Sequence, residues 1–296
     1  MIDQHPRGYA RLLDAMVRHT VPPGDPRVRL SDRVTHVKYD CDGVVVTTSG
    51  GKVYNATEVI STLPLGVLQR HHREIFEPPM PEAQIEALES DGFRMGNLTH
   101  VAIQFPSVWW DDSLLKWLSS NPSHPPTYGL ASSGEFTLWH NMNHKTVLPG
   151  SRWLLSFLGD PQSSHYESLP DATVQAAVMK RLRQQHPGKT IPEPSAFFIS
   201  RHGYDVNSYG AYSVSFAGWS DRDHRELKKP LQNCDDEEVQ HKPTVRMAGE
   251  AMCLDLNGYT HGALLMGRIQ AAHYLYHAGK GPNPKDDDRL DTMCTY

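Results

Sequence analysis

The stretch Arg246-Met247-Ala248-Gly249-Glu250-Ala251, followed by Asn257-Gly258-Tyr259-Thr260-His261-Gly262-Ala263, constrains the fold of this chain more than any other. It predicts a short buried strand, an acidic residue in a glycine turn, a loop, and a helix that opens on small residues. A carboxylate at a strand end can hold a sugar hydroxyl. A helix beginning with Gly and Ala lets a flat ligand approach its free first-turn N–H groups, and its dipole favours negative charge there. The same residues also suit a plain strand–loop–helix with a structural glycine turn, and the pattern alone leaves both readings open.

A length of 296 residues suffices for one large domain or two ordinary ones. With 29 basic and 34 acidic residues the formal charge is −5. No segment is basic enough for nucleic-acid binding, and no run of ~18 apolar residues suggests a membrane span. An apolar content of 39% can build a core, while Gly and Pro at 22 each imply many turns. Cys41, Cys234, Cys253 and Cys294 show no CxxC spacing. They read as free thiols in a reducing compartment, which favours the cytoplasm. His140 and His144 have a spacing that binds metal on a helix, but Phe136 to Trp139 reads as a strand, which would hold them apart; no metal is expected.

Along the chain, Leu12, Leu13, Met16 and Val17 form a helical stripe over Tyr9 to Thr20, ended by Pro22-Pro23-Gly24. Val34 to Tyr39, Val44 to Thr48 and Lys52 to Tyr54 predict an antiparallel meander, with Ser49-Gly50-Gly51 as a hairpin turn. Val59 to Leu63 is apolar and bounded by turn signals, as in a buried parallel strand. A short helix follows Pro81, and Val101, Ile103 and Phe105 alternate as in a half-buried strand. Phe136 to Met142, Trp153 to Leu158 and Ser195 to Ser200 are further strands, and Asp171 is expected to cap a helix closed by Pro187-Gly188. This middle block reads as an antiparallel sheet with helices on one face. Cys234 to His241 is expected to be an acidic surface loop, and Thr260 to His277 a long helix whose small residues permit close packing. Residues 280–296 are polar and expected to be a disordered tail.

Several segments in order carry a resemblance. They are Arg29 to Tyr39, Val59 to Leu68, Phe76-Glu77-Pro78-Pro79-Met80-Pro81, Gly96 to Phe105 with Trp109-Trp110, His186-Pro187-Gly188-Lys189, Ser200-Arg201-His202 and Gly210 to Ser213, together with the 246–263 stretch. The chain resembles the flavin amine oxidases, most closely their polyamine-oxidase-like members. That resemblance implies an α/β plus α+β chain: a partial, Rossmann-like FAD-binding domain with an antiparallel-sheet substrate domain inserted. The implied bounds are 1–67 for the first FAD-binding part, 68–234 for the substrate domain and 235–279 for the second FAD-binding part.

By the same resemblance FAD is the cofactor, and a small-molecule amine and O2 are the partners. Glu250 would hold the FAD sugar–phosphate chain. Tyr259, Thr260 and Gly262 would lie against the ring, and Val34 would meet adenine through its backbone. Tyr212 and Tyr259 would sandwich the substrate. His100 stands where the family usually has a lysine that holds a water near the flavin, which implies slower reoxidation or altered chemistry. His202 replaces a common tryptophan, and Asp205-Val206 stands for a common Asp-Pro, so the cavity is expected to differ in shape.

The sequence has no Gly-x-Gly-x-x-Gly turn to bring a pyrophosphate onto a helix N-terminus. Its start corresponds to a point inside the family's fold, so the chain is expected to be a shortened member, and Met1 to Pro6, which lacks the apolar core of a signal peptide, carries little weight. A misassigned start, a degenerate gene and a genuine short protein all fit. Without the first β-α-β unit, one edge of the main sheet would be bare and apolar. The rival to an amine oxidase is a non-catalytic remnant or binding protein that keeps the fold without FAD.

Overall fold

A computed structural model describes residues 8–18, 20–118, 135–235, 244–284 and 294. The chain opens with α1 (Tyr9–Val17). Then come β1 (Val34–Asp40), β2 (Gly43–Thr48), β3 (Val53–Ala56), β4 (Glu58–Ser61), α2 (Leu65–Ile75), β5 (Phe76–Glu77), α3 (Glu82–Leu88) and β6 (Phe93–Gly96). The middle of the chain holds β7 (Leu98–Gln104), β8 (Lys116–Leu118), β9 (Leu138–Asn141), β10 (Trp153–Gly159), α4 (Gln162–Glu167), α5 (Asp171–Gln185) and β11 (Ala196–Ile199). The last part adds β12 (Tyr212–Ser215), α6 (Asp221–Leu227), β13 (Thr244–Met247) and α7 (Thr260–His277).

These elements form two compact units. One joins the residues up to Arg29 to Asn97–Tyr204, and the other joins Leu30–Gly96 to the residues from Asp205 onward. The units therefore divide at 96 and 204 rather than at 67 and 234. The pairing of β6 with β12 explains the shift: it ties Phe93–Gly96 to Tyr212–Ser215 within one body.

The unit of the middle segment is a five-stranded sheet in the order β11-β7-β10-β9-β8, antiparallel in every pair. Alternation decides its faces. Thr99, Val101 and Ile103 of β7 and Leu154 and Leu158 of β10 are buried; the apolar ones pack with Val174, Val178 and Leu182 from one stripe of α5. Asp171 is the first residue of α5, and its backbone cap is Pro170. The α1 helix forms, but its stripe of Leu12, Leu13, Met16 and Val17 is exposed.

The second unit holds the meander β3-β2-β1 extended by β5, which lies parallel to β1. Beside it stands a two-stranded parallel pair, β4 with β13. Leu231 bridges Val245 on the other side of β13, so the outer edge of β4 has no partner strand among the described residues. With one strand neighbour the expected buried strand is half-buried, and Ile60 is 39% exposed. The Arg246 Nε donates to Glu58 across the pair at 2.9 Å, and both side chains are almost fully shielded. Among the described residues no helix is long and apolar enough to cross a membrane.

The cysteines are paired, contrary to the free thiols expected. Cys41 in the β1–β2 turn is bonded to Cys234, and Cys253 to Cys294. The pairings span sequence separations of 193 and 41, so local spacing gave no signal for them. Buried Cys294 also corrects the view of the C-terminal segment: it lies in the core, and its carbonyl accepts from Lys228 Nζ at 3.1 Å. The rest of the tail beyond Pro284, and most of the expected acidic loop, lie outside the described residues.

Thiol titration of the denatured, unreduced chain should find no free sulfhydryl; four would contradict the pairing. Replacing Cys294 by Ala should cost roughly 2–4 kcal/mol of stability, the usual worth of a crosslink, read from denaturant unfolding.

Candidate cofactor and substrate site

The parallel pairing of β4 and β13 brings their carboxyl ends side by side, the place where open parallel sheets bind ligands. A cavity of about 260 Å³ lies there. One wall is Thr62-Leu63-Pro64-Leu65 leaving β4, and another is Ala248-Gly249-Glu250-Ala251 leaving β13. Ala263 and Gly267, one turn apart on α7, close it with small side chains. Met266 and Ile269 of the same helix are buried in the core.

Gly249 has φ +123°, which lets the chain turn from β13 into the 3₁₀ turn Glu250–Met252. The turn presents Glu250 to the cavity. Its carboxylate already accepts three hydrogen bonds: from the Ser213 amide at 3.1 Å, from the Ser213 hydroxyl at 2.5 Å, and from the Gly258 amide.

Helix α7 begins at Thr260, behind an N-cap residue, Tyr259, that makes no side-chain cap. The Gly262 and Ala263 amides donate to the Tyr259 carbonyl at 3.1 and 3.3 Å, so only the Thr260 and His261 amides are left as the donors a helix start cannot pair within itself. At Gly262 a Cβ would lie 2.3 Å from the Leu256 carbonyl oxygen, so the glycine lets the chain's own loop approach the helix start. Thr260 and Tyr259 are exposed, Tyr259 by 59%. The Tyr212 ring lies over Gly258, where a Cβ would sit 3.0 Å from its Cδ2. The structure therefore brings Tyr212, Glu250 and the 257–259 loop together. Val34, at the start of β1, does not line the cavity.

A cavity of about 260 Å³ falls just below the roughly 300–1,000 Å³ of sites for drug-sized ligands. The residues present fit the sugar and adjoining part of a flavin nucleotide, with Glu250 as acceptor, and not the whole of a dinucleotide. Ser213, Gly258 and the 62–65 turn were missed by the sequence reading, because only the fold shows which residues meet Glu250.

His100 belongs to the other unit and sits on the open face of its sheet. Its ring meets Phe157 edge-on at 4.9 Å and His202 at 6.1 Å, and His140 meets the same Phe157 at 5.1 Å. Buried Glu167 fixes the His202 turn: it accepts from the Gly203 amide at 2.8 Å and from the Thr99 hydroxyl at 2.6 Å. On the same open face, Ala102, Trp153, Leu155, Phe198, Met142 and Leu148 line an apolar hollow of about 290 Å³. His140 is on a strand as expected, while His144 bonds Thr146 through Nδ1 at 2.7 Å.

Burial, and next the charge of His202, holds the His100 imidazole below its ordinary 6.5. Burial does the same at His140, His186 and His224. The fold thus prefers these rings neutral. Their stabilising effect is complete above the unfolded value and is lost as pH falls through the lower folded values. Stability should drop as pH falls below the ordinary 6.5, and the His100 ring should titrate below 6.5 by NMR; a midpoint above 6.5 would contradict the burial argument. Gly262→Ala should destabilise the chain by about 1–3 kcal/mol through overpacking. Gly267→Ala meets no atom within 4 Å. It should gain about 0.5–1 kcal/mol in thermal or denaturant unfolding while narrowing the cavity.

Comparison with known proteins follows this geometry. Lysine-specific histone demethylase 1 homolog 3 of Oryza sativa subsp. japonica is 28% identical over 94% of this chain and 32% of its own length. Polyamine oxidase 1 of Zea mays is 27% identical over 86% of this chain and 46% of its own. A putrescine oxidase variant redesigned in its cofactor binding superposes with TM-score 0.66 at 20% identity, covering 91% of this chain and 53% of that one. The wild-type putrescine oxidase bound to putrescine gives 0.64 at 19% identity, over 90% and 51%. The chain thus spans from about a third to about half of the length of these relatives. The family model of the flavin containing amine oxidoreductases matches residues 4–275, and the chain belongs to that family.

Proposed function

We propose that this chain forms part of an FAD-dependent oxidase of small amines, polyamine-oxidase-like in reaction. The observation that carries the reading is the cavity at the ends of β4 and β13, with one carboxylate and the small-residue face of α7 in its wall. Bound FAD would supply the acceptor for hydride from the carbon next to nitrogen, with O2 restoring it and leaving hydrogen peroxide.

The chain's own residues orient and dry the reactants. Glu250 retains an acceptor lone pair beyond its three hydrogen bonds, for a sugar hydroxyl. Tyr212 and Tyr259 offer exposed ring faces on which an amine can rest. His100 is held neutral and half-buried, so it can hydrogen-bond a water but does not supply a lysine's fixed charge. An amine must be neutral to yield hydride, and a dry, apolar site favours the uncharged form. Paired cysteines support an oxidising compartment in place of the cytoplasm.

One observation favours the rival, a binding protein without catalysis: the Glu250 carboxylate is already engaged by the protein. A single preparation separates the two. The chain is expressed with excess FAD, desalted, and its visible spectrum recorded. Flavin bands that travel with the protein, and peroxide formed on adding putrescine or a monoamine, are expected; a colourless protein would reject the oxidase reading for this chain.

A further inference from the structure

Ser213 has 1% of its surface exposed, on β12, with its side chain opposite Tyr212. Three hydrogen bonds meet at this residue. Its amide and hydroxyl both donate to Glu250, one to each oxygen, and its carbonyl accepts from Asn257 Nδ2 at 3.2 Å. The second Glu250 oxygen also takes the Gly258 amide. One serine thus ties three separate stretches: β12, the turn after β13, and the loop that enters α7.

We propose that Ser213 is a positioning residue, locking the Glu250 carboxylate in the cavity wall and setting the Tyr212 ring against the turn that leads into Tyr259. The inference rests on the reading above, in which Glu250 meets the cofactor and the two tyrosines meet the amine. Its physical basis is the bidentate grip. Two donors on one backbone residue fix the carboxylate's rotation as well as its position. The hydroxyl is buried, so no water replaces it when it is removed, and Glu250 loses a charge-assisted bond outright. Tyr212, the next residue, then loses the anchor that presses its ring on Gly258.

The test uses the full chain labelled with 3-fluorotyrosine, the Tyr212 and Tyr259 signals being assigned by Tyr→Phe variants. Ser213→Ala should move both signals, and Ser213→Thr, which keeps the hydroxyl, should restore them. FAD affinity, read by quenching of flavin fluorescence, should weaken about tenfold in Ser213→Ala, the worth of one hydrogen bond to a charged group. Should Ser213→Ala fail to fold, Glu250→Gln breaks the same grip from its other side and is read in the same way. Unmoved tyrosine signals, or unchanged affinity in a chain that binds FAD, would overturn the proposal. If the parent chain binds no FAD, the cofactor reading falls, while the fluorine signals still decide the role of Ser213.

Discussion

The parallel pairing of β4 with β13 is the constraint on which the candidate cofactor site depends. Two strands running the same way end at the same level, so the turns that follow them face one another across a gap. The Arg246–Glu58 pair locks the register from within the sheet. A buried ion pair of this kind contributes little net stability, but losing one partner strands the other charge, so it specifies the arrangement strongly. The Cys253–Cys294 bond holds the end of the Glu250 turn, since the Cys253 amide also donates to the Glu250 carbonyl. Cavity, carboxylate and helix entry are thus consequences of one pairing.

That pairing also leaves one side of β4 without a partner strand among the described residues. This outer edge, with its exposed Ile60, is the situation that native sheets avoid by covering or charging the edge. The cavity at the strand ends, about 260 Å³, has room for a sugar-sized group.

Much of the fold was legible in sequence because it follows short-range rules. The α7 helix runs from Thr260 to His277 as its pattern predicts, and Val101, Ile103 and Phe105 turn inward by alternation. What stayed hidden depends on partners distant in sequence or on backbone approach. No spacing rule connects Cys41 to Cys234, and nothing near Ser213 announces Glu250. At Gly262 the Leu256 carbonyl comes closer than any Cβ would allow. A small residue at a helix start signals close approach without saying what approaches.

The most direct measurement is hydrogen exchange of the chain with and without FAD, followed by mass spectrometry. The account predicts added protection confined to the peptides that carry 62–65, 248–251 and 258–267. Protection elsewhere with these segments unchanged, or none at saturating FAD, would contradict a cofactor site at the ends of β4 and β13.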